Sequence, residues 1–272
     1  MNITDLKITE ISALLRQREL PQQLIDSLSG DRRSTVRRLL DAWLRQRQRR
    51  QQEDQRLQAL YRYEASYYQQ KLNLVAGVDE AGRGPLAGPV VVAAVILPEN
   101  AYLPGLNDSK QLSAAQREVL YDRVRQTALA VCWQAVDVDI IDTINIYQAT
   151  VKGMYQAVAG LEPGPQAVLI DAVKLQGLTV PWQAIVGGDA LSASIAAASV
   201  IAKVERDRIM TELGSRYPGY GFEKHKGYAT KEHLAALQDL GPSPAHRRSF
   251  EPVKSGGGLF GFENNYSRPA AT

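Results

Sequence analysis

Residues 74–98 read LVAGVDEAGRGPLAGPVVVAAVILP. Apolar runs stand on both sides of a glycine-rich turn that opens with two acids, Asp79 and Glu80. LVAGVD (74–79) reads as a strand, and PVVVAAVILP (89–98), apolar between its prolines, as a strand buried on both faces. Further along, AVCWQAVDV (130–138), QAVLIDA (166–172) and WQAIVG (182–187) read as three more strands. Helices are expected at 113–129, where Ser113 and Gln116 make a capping-box pattern, and at about 145–160. Two more are expected at 192–213 and at 231–240, the last closed by Gly241 as C-cap. Strands that give way to alternating helices and strands predict an α/β fold, a mixed central sheet flanked by helices.

Three of these strands run into acids. Asp79 and Glu80 close the first, Asp171 closes VLID, and Asp189 follows the last in IVGGDA. Strand ends are where open α/β folds place their ligand sites. Adjacent strand residues point to opposite faces, but a strand end followed by glycines can relax enough for Asp79 and Glu80 to converge. Carboxylates gathered in one place need cations, and an all-oxygen set suits hard divalent ions such as Mg²⁺ or Mn²⁺. The bland alternative is that these acids form turns, with Asp189 capping the helix expected from 192.

No run approaches the ~20 apolar residues of a membrane span. The start MNITDLKITE lacks the basic and apolar stretches of a secretory signal. The single cysteine, Cys132, excludes an internal disulfide and any multi-cysteine metal site, and its place in AVCW suits buried filler. A cytoplasmic protein without membrane contact is expected. Residues 1–70 carry 13 Lys and Arg against 9 Asp and Glu, while the rest carry 19 against 20, so the excess positive charge sits in the first quarter. That quarter reads as helices without strands: Ile8, Ile11, Leu14 and Leu15 at helical spacing, a break at Pro21, then a long helix from about Ser34 to Gln69 with Val36, Leu39, Leu40, Trp43 and Leu44 on its apolar face. Beyond Leu44 the segment RQRQRRQQEDQR is almost wholly polar, either a solvated surface or a nucleic-acid contact.

GVDEAGRGPLAGPVVVAAV resembles the opening signature of ribonuclease HII, a type 2 ribonuclease H family. The resemblance continues in order through NDSKQLS (107–113), LIDA (169–172), SIAAASVIAKVERDR (194–208), HKGYATKEH (225–233) and HRRSFEPV (246–253). It implies a ribonuclease H-like fold for a catalytic domain at 72–253. The helical basic extension at 1–71 lies outside the shared core, although some bacterial members carry one of this kind, and the composition of 254–272, with SGGG and NNYSRPAAT, predicts a flexible tail. The resemblance implies an endonuclease that hydrolyses RNA in RNA–DNA hybrids and cuts at ribonucleotides embedded in duplex DNA, leaving 5′-phosphate and 3′-hydroxyl ends. On the same resemblance Asp79, Glu80, Asp171 and Asp189 hold two Mg²⁺ or Mn²⁺ ions. Gly82, Arg83 and Gly84 approach a sugar 2′-hydroxyl, the group that separates RNA from DNA, and Tyr228 stacks on the sugar at an RNA–DNA junction. Lys110, Lys203, Lys226 and Arg247 are candidates for phosphate contacts; His225 is a possible assistant, and Ser194 and Ser199 possible phosphate contacts.

The sister family ribonuclease HIII usually has lysine where this chain has Arg83, and carries a sheet-containing N-terminal domain. A binding module that has lost its metals is the rival from another class, but all four acids are present. Leu259, Phe260 and Phe262 form an apolar cluster after SGGG, suited to docking on a replication sliding clamp or to folding back on the domain. The chain is expected to be a monomer. The extension is expected either to bind duplex through Arg45, Arg47, Arg49 and Arg50 or to brace the catalytic domain through Trp43, and a truncation near Leu72 to keep its turnover.

Overall fold

Every residue of β2 (Val90–Ile96) is buried, and this strand sits inside the sheet with a partner on each side. In the computed structural model, which describes residues 6–256, the strand order is β3-β2-β1-β4-β5, with β1 Val75–Ala81, β3 Ala130–Val136, β4 Ala167–Asp171 and β5 Trp182–Ile185. β1 runs antiparallel to β2, and β2 to β3; β1–β4 and β4–β5 are parallel. The sheet is mixed, as the alternation of elements predicts. β1 reaches two residues beyond the expected end because Glu80 and Ala81 pair with Val92 and Val91, so both acids lie on the strand itself.

Helices cover both faces. Ala76, Val78, Val92, Ala94 and Val168 pack against Met154, Ala157 and Val158 of α6 (Val138–Ala159). The other face meets α7 (Ala193–Arg216), whose first turns are made of small residues. The reason shows at Gly77: a Cβ there would lie 2.0 Å from the Ser194 carbonyl carbon, so only glycine lets β1 lie on this helix. α5 (Ala114–Thr127) opens with the Ser113–Gln116 capping box, and α9 (Lys231–Leu240) ends at Gly241. α6 starts seven residues earlier than expected. Asp137 caps its N-terminus, and Asn145, at φ 68°, kinks it where the apolar period had suggested a start. Cys132 is half-buried and packs on the α6 side of the sheet. A four-residue turn, α8 (Phe222–His225), precedes α9 and was not expected from the sequence.

The N-terminal quarter is helical: α1 (Ile8–Leu14), α2 (Gln22–Ser29), α3 (Ser34–Leu60) and α4 (Arg62–Tyr68). The long helix expected over 34–69 breaks at Tyr61, whose hydroxyl donates to the Ala101 carbonyl at 2.9 Å. Ile11, Leu20, Ile25, Leu28, Val36, Leu40 and Trp43 form a core of their own, and the Trp43 indole donates to the Gln17 carbonyl at 3.0 Å. Packing divides the chain between Ala59 and Leu60. α4 therefore belongs with the sheet: Tyr63, Tyr67 and Tyr68 pack on Val75, Leu169 and Ile195. The tail cluster Leu259, Phe260 and Phe262 lies outside the described residues.

Candidate active site

The acids meet where the central strands end. β4 stops at Asp171 because Ala172 turns the chain through left-handed backbone, at φ 52°. Asp189 stands in a 3-10 turn (Gly188–Ala190) directly before Ser192, and it is the Ser192 side chain that caps α7 by accepting from Ile195 N–H. The capping alternative for Asp189 is thereby replaced by another role: its Oδ2 accepts from Lys110 Nζ at 2.9 Å. Carboxylate oxygens of Asp79, Asp171 and Asp189 all lie within 4.8 Å of one another. Glu80 is not part of that group; it pairs with Arg83 at 3.3 Å, yet its Oε2 is buried without a partner.

Burial raises the Asp79 carboxyl well above the ordinary carboxylate range, and the charges of Glu80 and Asp171 raise it further. Burial also lifts Glu80, against the pull of Arg83. Asp171 is raised by burial too, although the Gly188 N–H donating to its Oδ1 at 2.7 Å favours the anion. Burial works most strongly on Lys110 and lowers it, but the hydrogen bond to Asp189 together with the charges of Asp189, Asp108 and Asp79 outweighs that and raises it. A crowd of desolvated carboxylates, one with an orphaned oxygen and one already holding an ammonium group, is a site short of positive charge. Its donors are all oxygen, which fits a hard divalent cation.

Asp79, Glu80 and Asp171 share a cavity of about 230 Å³ with Gly82, Arg83, Gly84, Ser109, Lys110, Ser199, Lys203, Arg206 and Tyr228. Ser199 hydrogen-bonds Asp79 and, at 2.8 Å, Ser109. The turn is held from beneath. Gly82 sits at φ +97°, and a Cβ on it would lie 1.9 Å from Arg206 Nε. Arg206 is fully buried and donates to the carbonyls of Ala87, Pro89 and Lys226.

Not every expected contact residue faces this cavity. Arg247 is fully buried and donates to the carbonyls of Gly82, Arg83 and Gly88, so it holds the turn and is not free for a phosphate. Lys226 turns away, its Nζ donating to the Asp207 carbonyl and to Thr211 Oγ1. Lys203 does line the cavity, in an ion pair with Asp207 at 2.7 Å. Ser194 gives its hydroxyl to Glu64 instead of facing substrate. His225 bonds the Tyr220 carbonyl at 2.7 Å and does not line the cavity, so the geometry gives it no part in the chemistry.

Ribonuclease HII, as a family description, matches residues 76–253, and the Ribonuclease HII N-terminal domain matches residues 7–68. The chain belongs to the ribonuclease HII family. It is 48% identical over 248 residues to ribonuclease HII of Bacillus cytotoxicus, covering 91% of this chain and 95% of that relative. Among solved structures it is similar to ribonuclease H2 of Pyrococcus horikoshii, with a TM-score of 0.58 and 28% identity over 66% of this chain and 95% of that one. It is also similar to the structure of the PCNA:RNase HII complex from Archaeoglobus fulgidus, with a TM-score of 0.56 and 25% identity over 65% and 95%. Ribonuclease HII enzymes are metal-dependent hydrolases, endonucleases of the ribonuclease H type that act on RNA paired with DNA. The match at 7–68 and the helical N-terminal unit set ribonuclease HIII aside. No helix among the described residues is long and apolar enough to cross a membrane.

Proposed function

We propose that this member of the ribonuclease HII family cuts on the 5′ side of a single ribonucleotide in duplex DNA as well as within continuous hybrids, by two-metal hydrolysis. One observation carries the reading: Asp79, Glu80 and Asp171 share a cavity with the Gly82–Gly84 turn and with Tyr228, which is 47% exposed. Asp79, Asp171 and Asp189 would hold the ions, with Glu80 beside them. When bound, Mg²⁺ or Mn²⁺ would supply neutralising charge at the attacking water oxygen and at the departing 3′ oxygen, and breaking the P–O3′ bond would give 5′-phosphate and 3′-hydroxyl ends. The chain's own groups do the rest. The turn brings backbone to the sugar 2′-hydroxyl, Tyr228 offers a ring to the sugar at the junction, and Lys110 and Lys203 offer ammonium groups to phosphates. Tyr228→Ala should therefore reduce cleavage at a single ribonucleotide about tenfold more than cleavage of a continuous hybrid, in line with a stacking contact of ~1–3 kcal/mol. Rates on the two substrates measured side by side test this, and equal losses would count against junction stacking.

The helical unit serves as an auxiliary duplex contact. Val36, Leu40 and Trp43 of α3 enter the unit's own core and Leu44 is exposed, while Arg45 and Arg49, four residues apart, are exposed on one face of α3. Arg47 lies over the Trp43 ring at 5.5 Å, and Arg50 donates to the Arg18 carbonyl. Changing Arg45 and Arg49 to Gln should make the salt dependence of hybrid binding shallower by about 0.9 log units for each phosphate that is no longer neutralised. Turnover at saturating substrate should not change. An unaltered salt slope would remove the duplex-binding role.

The Archaeoglobus fulgidus relative was solved with PCNA. For this chain the clamp contact would fall to Leu259, Phe260 and Phe262. Capture of the protein by the clamp should disappear in Leu259→Ala/Phe260→Ala, and capture at the wild-type level would end the idea.

A further inference from the structure

Tyr228 stands in a short loop before α9, close to the turn it must match: a Cβ on Gly84 would lie 4.0 Å from the Tyr228 ring. Its backbone is held on both sides. The Tyr228 N–H donates to the His225 carbonyl at 3.0 Å, and its carbonyl accepts from Thr230 N–H at 2.8 Å. That carbonyl also lies 2.9 Å from His233 Nδ1. Behind His233 stands His246, with the two Nε2 atoms 3.0 Å apart and both residues buried.

The backbone decides where the protons are. Ser243 N–H donates to His246 Nδ1 at 3.0 Å, so that nitrogen accepts and the ring proton sits on Nε2. His246 Nε2–H then donates to His233 Nε2, which leaves His233 Nδ1–H to donate to the Tyr228 carbonyl. The relay has one consistent polarity, from a backbone N–H through two neutral rings to a backbone carbonyl. Burial, and after it the neighbouring His233, hold His246 down to about 3; burial lowers His233 as well. Phe222 packs 5.5 Å from each ring, and His225 stacks on His233 at 4.5 Å. Neither His233 nor His246 lines the acid cavity.

We infer that His246 and His233 are positioning residues that hold Tyr228 in register with the Gly82–Gly84 turn, and so set the preference between a single ribonucleotide and a continuous hybrid. This rests on the reading of Tyr228 as the junction contact. Paired substitutions separate the relay from mere packing. His233→Asn places an amide N–H near the former Nδ1–H, whereas His233→Gln carries its amide toward the former Nε2. Both remove the same ring. The ratio of single-ribonucleotide to hybrid cleavage should stay near wild type in His233→Asn and fall about fivefold in His233→Gln, the size expected for one neutral hydrogen bond. Equal ratios in the two variants would overturn the inference.

His246 offers the mirror pair, with Gln keeping the donor to His233 and Asn losing it, should the changes at 233 fail to fold. In a Tyr228→Ala background, His233→Gln should cause no further change in the ratio, and a further fall would also overturn the inference. A second readout does not depend on substrate preference. In protein labelled with 3-fluorotyrosine, the Tyr228 signal, assigned through Tyr228→Phe, should shift in His233→Gln and hold in His233→Asn. If Tyr228→Ala left the ratio unchanged, the junction reading would fall, while the fluorine signal would still decide whether the relay positions the ring; an unmoved signal in His233→Gln would refute it.

Discussion

Asp171→Asn is expected to lower turnover by about three orders of magnitude or more while affinity for the duplex changes only a few-fold. The substitution removes one charge from the group formed with Asp79 and Asp189 and adds no bulk. An amide oxygen can still accept from Gly188 N–H, so the end of β4 should keep its shape. Duplex affinity should survive because the Gly82–Gly84 turn, Tyr228 and the lysines are untouched. Asp189→Asn should be milder and more dependent on metal concentration, since Asp189 already shares its charge with Lys110. Turnover and binding measured on the same Asp171→Asn preparation check the assignment, and wild-type turnover would sink it.

A truncation beginning at Leu72 is expected to unfold or severely weaken the catalytic unit, against the intact turnover that charge balance alone suggested. The division by packing lies at Ala59/Leu60, so this cut removes α4 and with it Glu64. Glu64 is buried, and its Oε1 accepts from Ser192 Oγ at 2.6 Å, Ser194 N–H at 2.9 Å and Ser194 Oγ at 2.5 Å. These donors form the start of α7, three residues after Asp189. Left unpaired in a buried site, each would cost about 1–3 kcal/mol. Glu64→Ala alone should therefore lower the melting temperature by roughly 10 °C, and Glu64→Gln, which keeps an acceptor, by much less. A truncation beginning at Leu60 retains Glu64. If the Leu60 and Leu72 truncations melt alike, Glu64 is not the brace described.

The strands and their terminal acids were legible because burial on both faces leaves an unmistakable apolar run, and because an acid at the end of such a run stands out. Asp79, Asp171 and Asp189 converge as strand-end reasoning expects. Glu80 lines the same cavity as Asp79 and Asp171 but stands outside the group of three mutually close carboxylates, paired with Arg83 on a strand residue laddered to Val92. The buried cations were not legible. Arg247 reads as a surface charge in HRRSF, yet it is fully buried because the carbonyls of Gly82, Arg83 and Gly88 converge on it from more than 150 residues away in sequence. Glu64 was hidden for the same reason, its partners lying 128 and 130 residues along the chain. Local pattern reports periodicity and caps; it does not report which distant backbone groups will need a donor or an acceptor. The expected division at Leu72 lies between the two family matches, 7–68 and 76–253, and marks where strands begin, whereas packing groups the tyrosines of α4 with β1 and β4.

Cleavage at an embedded ribonucleotide is tested most directly with a duplex DNA carrying one such residue, incubated with the purified protein and Mn²⁺ or Mg²⁺, with the ends of the products mapped. The expected result is a single nick on the 5′ side of the ribonucleotide, with 3′-hydroxyl and 5′-phosphate ends, abolished by a chelator and restored by added metal. Cleavage that persists in the chelator would contradict metal-dependent hydrolysis at this site, and an intact substrate under conditions where a continuous hybrid is cut would contradict cleavage at an embedded ribonucleotide.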